Sequence, residues 1–452
     1  MSRGVHRRGR SRLDTALLFF DQALVSGCGF LAMLLIVRSS GVAVFGAFAI
    51  VSTVALFIVG LQQALISQPM MSLAPAAASD ASGRATYFGS ILLQQALLTA
   101  AVACSSPLIY AALEAFWADP LLASAATPGA LLLVSRQAYV FFRGYYLTKG
   151  EVRRVAVNDA VVFAGQLCLL GGLAADGSLE LASALWSQAA LFGLGALIGL
   201  FQIGSVRFSW TDFLASSARH WRFSRWLVVQ TVFQWSSSNA FLLAAGALLG
   251  SAAVGALKVA HSLVGVLGVL LLTLENFVPL DAARALAHEG TIGLHRYLRG
   301  VLARGGLLIL PIAAALALWP GLVLGVFDGG ESGAWAEQAL RWFAGMYVLA
   351  FLSTLLTIGL RTVERTGRIA FCNIIIAVPV LFLAQPIVAT FGFVGACAGI
   401  VVHKLVLTLS LAWTFRGAAG SPSIGALQAE SGAPKAAGDD EPRLGASKRL
   451  AA

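Results

Sequence analysis

The chain has 452 residues, of which 58% are hydrophobic and 12% are charged, and its formal net charge is +10. Soluble domains carry roughly a quarter charged residues. With a mean hydropathy of +0.82, the composition excludes a water-soluble globular protein and indicates a polytopic membrane protein. The five cysteines lie inside apolar runs without metal-ligand spacing, so the sequence predicts neither a metal site nor a disulfide framework.

Twelve segments approach the 20 apolar residues that a membrane-spanning helix needs. They are 14–37, 42–67, 86–112, 121–147, 155–175, 181–204, 223–249, 251–280, 300–325, 337–360, 368–390 and 393–415. The first is too long for the apolar core of a signal peptide, so we interpret it as an uncleaved span. The sequence thus predicts an all-α polytopic membrane protein with about twelve transmembrane helices in two lobes of six.

The domain boundaries follow from the spans. A basic N-terminus occupies 1–13, the N-lobe 14–204, and the C-lobe 223–415. The polar, amphipathic stretch 205–222 is predicted to be a cytoplasmic linker on the membrane surface. The tail 416–452 is rich in Gly, Ala, Ser and Pro, and it is predicted to be disordered and cytoplasmic because it has too little apolar surface to fold.

The loops between the spans differ sharply in charge. Loops on the side of the N-terminus carry nearly all the arginines, whereas the opposite loops carry Arg38 with several acidic residues. Basic loops stay cytoplasmic, so both termini are predicted to be cytoplasmic. Because membrane insertion explains the positive charge, the sequence does not indicate a nucleic-acid partner.

An internal repeat relates the two halves. Phe20–Gly46 aligns with Val229–Gly255 without a gap, which places Asp21 on Gln230 and Gly41 on Gly250. Transporters built from such repeats bind substrate at the repeat interface near the middle of the bilayer. The repeat therefore predicts two related lobes with a site between them.

Motifs typical of enzymes are absent from the sequence. It contains no G-x-x-x-x-G-K-[ST], H-E-x-x-H or G-x-S-x-G pattern. The longest outer loop, about 326–336, is too short for a catalytic domain. We therefore expect no enzymatic activity, and a membrane-embedded polymerase or ligase is the least favoured function for this chain.

Ionisable residues inside the spans are the main functional candidates, because each costs about 2.5–3.5 kcal/mol on insertion scales. Arg143 and Asp159 lie at equal depth on adjacent spans, which predicts a structural ion pair. Arg136, Lys258 and Lys404 lie at middle depths and predict a water-filled, positively charged lumen that attracts anionic substrates. Arginine suits pyrophosphate because its guanidinium can bond two oxygens at once.

The predicted substrate-binding set is completed by polar residues on the seventh and eighth spans, and two carboxylates are candidates for ion coupling or gating. The full substrate-binding set is Arg136, Lys258, His261, Lys404, Gln230 and Gln234, and the carboxylates are Asp21 and Glu275. For the glutamines, hydrogen bonding between helices remains an equal alternative.

Three stretches carry a resemblance to a known family. They are Asp21 with the following run IVRSSGVAVFGAFAIVSTVALFIVGLQQAL, the hairpin RQAYVFFRGYYLTKGEVRRVAVNDAV, and GSAAVGALKVAHSLVGVLGVLLLTLENFVP. They resemble polysaccharide-biosynthesis flippases of the Wzx type, within the superfamily of MATE exporters and MurJ-type lipid II flippases.

The resemblance implies a V-shaped pair of lobes, a central cavity lined by spans 1, 2, 7 and 8, and alternating access in a bacterial inner membrane. It implies a lipid-linked anionic glycan as substrate. Membrane lipids, a polysaccharide polymerase and a chain-length regulator are the implied partners. No cofactor is expected, and coupling to a proton or sodium gradient stays open.

Two other transport functions remain as alternatives. An ion-coupled multidrug exporter would favour carboxylates in its cavity, whereas this chain has excess positive charge. A lipid II flippase of the MurJ type would have fourteen spans and several arginines on its first two helices, where this chain has only Arg38.

Overall fold

The computed structural model describes residues 12–77, 81–328 and 333–419, and these residues are almost entirely helical. In chain order the helices are α1 (Arg12–Gln62), a π-helical turn (Gln63–Ser67), α2 (Gln68–Ala77), α3 (Ala81–Trp117), α4 (Pro120–Ala123), α5 (Ala126–Lys149), α6 (Val152–Ala175), α7 (Leu181–Phe201), α8 (Trp210–Leu249), α9 (Ser251–Leu318), α10 (Pro320–Asp328), α11 (Gly333–Thr362) and α12 (Thr366–Ala419). The predicted all-α fold class is confirmed.

Three of the long helices are each broken at one glycine. The backbone is non-helical at Gly41 in α1 (φ 85°, ψ 170°), Gly290 in α9 (φ 65°, ψ −155°) and Gly392 in α12 (φ 59°, ψ −140°). Glycine adopts such positive φ values without a steric penalty from a β-carbon. Each of these three helices therefore contains two membrane-length segments. Together with α3, α5, α6, α7, α8 and α11, they make twelve such segments within the described residues.

The internal repeat is visible in the backbone. Gly250 separates α8 from α9 with φ 85° and ψ 177°, nearly the same conformation as Gly41. These two glycines are equivalent in the sequence repeat. In each lobe, the chain therefore reverses its direction after the first span at an equivalent glycine, with nearly the same backbone conformation.

Seven helices of the described chain are long and apolar enough to span a membrane on length and composition alone, and several of them contain two segments. Helices α5 and α8 are not among the seven. Their apolarity is reduced by Arg136 and Arg143 in α5 and by Gln230, Gln234 and a run of serines in α8. Both are packed within the bundle, so their polar residues face other helices or internal space.

The structure differs from the predicted boundaries around the linker and the tail. Ser209 caps α8, accepting a hydrogen bond from the amide of Asp212 at 3.4 Å, and the helix continues without a break to Leu249. Stretch 205–222 is therefore mostly the first third of α8, not a separate element. Helix α12 extends the C-lobe to Ala419, while residues 1–11 and 420–452 of the predicted termini lie outside the described residues.

The first third of α8 docks on the N-lobe. The Tyr87 hydroxyl lies 3.0 Å from His220 Nε2, and Gln94 donates to Ser217 at 3.0 Å. Ser224 donates at 3.2 Å to the carbonyl of Leu65, inside the π-helical turn. The N-terminal part of α8 thus bonds to three points of the N-lobe.

The lobes meet most closely through α1 and α9. We call the side of the bundle that holds the α5–α6 and α11–α12 loops the basic side, and the side that holds Gly41, Gly250 and Gly392 the acidic side. Near the acidic side, a β-carbon on Gly46 would lie 1.8 Å from the carbonyl oxygen of Ser251. A β-carbon on Gly255 would lie 2.1 Å from the carbonyl oxygen of Val42.

These two glycines are also equivalent in the repeat, so a pseudo-symmetric glycine pair brings the two backbones together. Arg38 adds a bond between the lobes, donating to the Val326 carbonyl at 3.1 Å. The acidic side is therefore closed where α1 meets α9.

Candidate functional site

A polar cavity of about 480 Å³ lies inside the C-lobe. Its walls come from α8, the first half of α9, α11, and both halves of α12. Every lining residue belongs to the second half of the chain. The cavity therefore lies within one lobe, whereas the sequence predicted a site between the lobes lined by spans 1, 2, 7 and 8.

Five of the six predicted substrate-binding residues line this cavity, together with one predicted gating residue. They are Lys258, His261, Lys404, Gln230, Gln234 and Glu275. They come from the consecutive helices α8 and α9 and from α12, which is distant in sequence but packs against α8 in the bundle. The His261 ring packs against two aromatic rings of α11, with centroid separations of 6.1 Å to Phe343 and 5.9 Å to Tyr347.

The cavity carries more positive than negative charge. Lys258, Lys404 and Arg361 line it, against the single carboxylate of Glu275. Among the described residues, none of these three cations has an acidic group within the 4.0 Å that defines an ion pair. Glu275 acts on Lys404 only through a longer-range electrostatic attraction. Cations without partners are costly at membrane depth and become tolerable where they line water.

Several lining residues were not among the predicted site residues. Arg361 lies in a predicted basic loop, where membrane topology explains its charge, and Asn373 is an isolated polar residue within an apolar span. Ser353, Thr354 and Thr357 lie on one face of α11. The signal that would have found them is a lone polar side chain, or a polar pair at i and i+4, in a span that is otherwise apolar.

Arg136 lies outside the cavity, which corrects its predicted grouping with Lys258 and Lys404. Its guanidinium carbon lies 5.3 Å from the centre of the Phe192 ring, in a cation–π contact between α5 and α7 of the N-lobe. The side chain is half-buried and close enough to Lys258 for the two charges to repel each other. Arg136 therefore adds positive potential from the opposite lobe.

A second charged cluster lies in the N-lobe. Arg143 Nε donates to Asp159 Oδ2 at 2.7 Å, which joins the two residues predicted to pair. Arg143 Nη2 donates to Asp21 Oδ2 at 2.7 Å, and the Tyr139 hydroxyl donates to Asp159. One guanidinium thus holds two buried carboxylates, from α1 and α6.

This arrangement changes the expectation for Asp21. The side chain is 1% exposed and bonded to Arg143 rather than open to the C-lobe cavity. Its second oxygen, Oδ1, has no hydrogen-bond partner among the described residues. With both carboxylates ionised, the cluster of Arg143, Asp21 and Asp159 carries one excess negative charge.

Comparisons with known proteins bear on the fold. The MatE family model matches residues 227–386, and no curated protein sequence matches the chain. An inward-facing multidrug resistance MATE transporter of the MOP superfamily superimposes with a TM-score of 0.71 at 15% identity, covering 93% of this chain and all of that one.

Two further structures are similar. The lipid II flippase MurJ, in an inward closed conformation, gives a TM-score of 0.72 at 11% identity, covering 90% of this chain and 88% of MurJ. An outward-facing MATE transporter gives 0.56 at 13% identity, covering 91% and 98%. The chain is thus a multi-pass membrane protein with the fold shared by MATE transporters and MurJ, and part of its second half matches the MatE family.

Proposed function

We propose that this protein is a flippase that moves undecaprenyl-pyrophosphate-linked oligosaccharide repeat units across the bacterial inner membrane by alternating access. The repeat units would serve the synthesis of a surface polysaccharide such as exopolysaccharide, capsule or O-antigen. The observation that carries the proposal is the C-lobe cavity, where Lys258, Lys404 and Arg361 have no ion-pair partner among the described residues.

The chemistry of that cavity suits an anionic head group. Unpaired ammonium and guanidinium groups can bond phosphate oxygens, and the low dielectric of the surrounding helices strengthens the attraction. The neutral amides and hydroxyls of Gln230, Gln234 and Ser238 on α8 can bond the hydroxyl groups of a sugar. A pyrophosphate joined to a glycan presents both kinds of group.

The conformation supports loading from the cytoplasm. The cavity reaches Arg361 and Ile369 beside the loop between α11 and α12, on the basic side, which the positive-inside rule makes cytoplasmic. On the acidic side, α1 and α9 are in backbone contact at Gly46 and Gly255. The higher TM-score against the inward-facing than against the outward-facing MATE structure supports the same state.

The N-lobe cluster is our candidate for energy coupling. The carboxylates of Asp21 and Asp159 compete for the guanidinium of Arg143. Protonation of one carboxylate would release that carboxylate from the guanidinium. Asp21 lies on α1, which contacts α9 of the other lobe, so this release could be passed to the lobe interface. Glu275 stays in the cavity, beside Lys404, as a gating candidate.

An ion-coupled multidrug exporter is the second candidate function. The match of residues 227–386 to the MatE family favours it. The excess of cations in the cavity opposes it, because a cationic drug would be repelled there. A lipid II flippase is the third candidate, favoured by the likeness to MurJ.

The proposal is tested in a strain that lacks this gene, by measuring lipid-linked oligosaccharide on the cytoplasmic side and polymer at the surface. Wild-type protein should restore the polymer, and a Lys258→Ala/Lys404→Ala double variant should not. Arg304→Ala is the matched control, because Arg304 is an exposed cation on α9 that lies outside the cavity lining. Within the described part of the chain, its side chain bonds the carbonyl of Gly300, one turn away on its own helix.

Normal polymer from the double variant, expressed at the wild-type level, would remove the cavity from the proposal. Increased drug sensitivity of the deletion strain without accumulated lipid-linked sugar would favour the exporter. Arrest of cell-wall synthesis would favour lipid II as the substrate.

A further inference from the structure

A second polar cavity, of about 520 Å³, lies on the basic side of the C-lobe, between the eighth and ninth predicted spans. We call it the basic pocket. Its lining residues all belong to the part of α9 that follows Gly290, and they are Thr291, Ile292, His295, Arg296 and Arg299. Two guanidinium groups and an imidazole thus line the pocket, and no carboxylate of the described residues does. It shares no lining residue with the C-lobe cavity.

The break at Gly290 explains why these side chains meet. Gly290 has φ 65° and ψ −155°, so the chain turns back, and Arg296 of the returning helix pairs with Glu289 at 2.6 Å. The lining residues of that helix recur about one turn apart and therefore lie along one face. Among the described residues, Arg299 has no acidic group within the 4.0 Å that defines an ion pair. The pocket therefore retains donors for an anion.

The end of α12 lies against the same pocket. The ring of His295 packs on the ring of Phe415, with the ring centroids 4.9 Å apart. Helix α12 ends shortly afterwards at Ala419, which is about 6 Å of helix beyond Phe415 at 1.5 Å per residue. The chain that follows α12 therefore starts beside the basic pocket.

The sequence that follows α12 contains one run of consecutive acidic residues. Residues 420–452 lie outside the described residues, and in their sequence Asp439, Asp440 and Glu441 are adjacent. Stretch 420–438, which joins this run to α12, is rich in Gly, Ala and Ser. Linkers of that composition and length have an r.m.s. end-to-end distance of about 24 Å. The acidic run can therefore reach a pocket that begins beside Phe415.

We propose that the acidic run 439–441 of the C-terminal tail docks in the basic pocket as an intramolecular ligand. Its carboxylates would bond the guanidinium groups of Arg296 and Arg299, whose planar donors match two carboxylate oxygens at once. The inference goes beyond the proposed function and does not depend on it, because it uses no residue of the C-lobe cavity.

A tethered carboxylate suits the pocket better than a lipid head group does. Arg299 directly precedes the predicted span 300–325, whereas Thr291 lies about 12 Å farther from that span along the helix. The far end of the pocket therefore stands clear of the bilayer surface, where lipid head groups are held. Tethering also gives the acidic run an effective concentration on the order of millimolar, so a modest affinity is enough to fill the pocket.

The docked run would lie near the cytoplasmic end of the C-lobe cavity. A β-carbon on Gly359 of α11 would lie 2.6 Å from the ring of Phe415, so this glycine packs closely on the residue that flanks the basic pocket. Arg361, two positions later on α11, lines the cavity. Docking would therefore hold the tail beside the entrance of the cavity.

The test measures how fast a short bismaleimide links Gly438→Cys, beside the acidic run, to a second cysteine on α9. The full-length protein is purified in a background without the five natural cysteines. Ile292→Cys places the second thiol in the pocket, since Ile292 lines it and is 71% exposed. Ala283→Cys is the matched control, because Ala283 is exposed on the same helix but does not line the pocket.

We expect the pocket cysteine at Ile292 to be linked about tenfold faster than the control cysteine at Ala283, because docking raises the local concentration of the tail. The double substitution Arg296→Gln/Arg299→Gln should bring the two rates together. High salt should do the same, since it screens exposed charges. Equal rates for the pocket and control cysteines with both arginines present would overturn the proposal.

Two further measurements identify the occupant. Exchanging the charges, with Arg296→Glu/Arg299→Glu against Asp439→Lys/Asp440→Lys, should restore the faster linking, which a misfolded variant cannot do. The preference for the pocket cysteine should also persist in nanodiscs that contain phosphatidylglycerol as well as in nanodiscs of phosphatidylcholine. Loss of the preference in the anionic nanodiscs alone would assign the pocket to a lipid head group and overturn the proposal.

Discussion

The Gly46→Ala substitution should open the acidic side of the protein. The added β-carbon would lie 1.8 Å from the carbonyl oxygen of Ser251, against an ordinary separation of about 3.4 Å or more. Helices α1 and α9 would have to separate by more than 1 Å. Overpacking of this kind costs about 1–3 kcal/mol.

Alanine also favours the helix over glycine by about 1 kcal/mol, but position 46 is helical in both arrangements, so this gain cancels between them. Relative to the closed arrangement, the separated one should therefore gain about 1–3 kcal/mol. At 1.4 kcal/mol per tenfold change, its population should rise by about fivefold to hundredfold.

The assay is modification by a membrane-impermeant maleimide in a background without the five natural cysteines. Ser251→Cys places a thiol at a buried position, since Ser251 is 6% exposed. Labelling should be slow with Gly46 and faster with Gly46→Ala. Gly29→Ala on the same helix is the control, because its β-carbon would meet nothing within 4 Å. Equal labelling rates in a stable Gly46→Ala protein would refute closure by this glycine contact.

Three further outcomes are expected. Arg143→Ala leaves two buried carboxylates without their shared partner and should cost about 3–5 kcal/mol, seen as a large drop in thermal stability; unchanged stability would show that Asp21 and Asp159 do not depend on it. Burial lowers the pKa of His220 to about 4, so the histidine is neutral when α8 is docked on the N-lobe. The free energy of unfolding should therefore fall by up to about 3 kcal/mol as the pH drops from 6.5 toward 4. His220→Gln should flatten that pH dependence in thermal melts, and an unchanged slope would assign it to other groups. Glu275→Gln removes the single carboxylate that lines the cavity and should tighten inorganic pyrophosphate binding by up to about tenfold, or 1.4 kcal/mol; weaker binding would show that Glu275 organises the site rather than opposing the anion.

Part of the candidate site could be predicted from residue depth alone. Lys258, Lys404 and Glu275 are charges inside predicted spans, where they are costly unless they have a function, and all three line one cavity. The Arg143–Asp159 contact could also be anticipated, because adjacent helices joined by a short loop place residues of equal depth side by side.

The contact between Arg143 and Asp21 could not be anticipated in this way. The two residues are 122 positions apart, and depth does not tell which distant helix packs against α5. Arg136 illustrates the same limit. It has the depth of a lumen residue, but its helix faces α7, so its guanidinium stacks on Phe192.

The sequence by itself determined the all-α class and the repeat that relates the two lobes. Hydropathy shows which segments are long enough to cross the bilayer. The gapless match between the two halves identifies equivalent backbone positions such as Gly41 and Gly250, which share one conformation. Only the tertiary structure decided that the polar cavity lies inside the C-lobe and that a basic pocket lies beside the end of α12. Sequence periodicity fixes the depth and the face of a residue on its own helix, whereas a cavity is created by the side-by-side order of helices and by the space that their small residues leave empty.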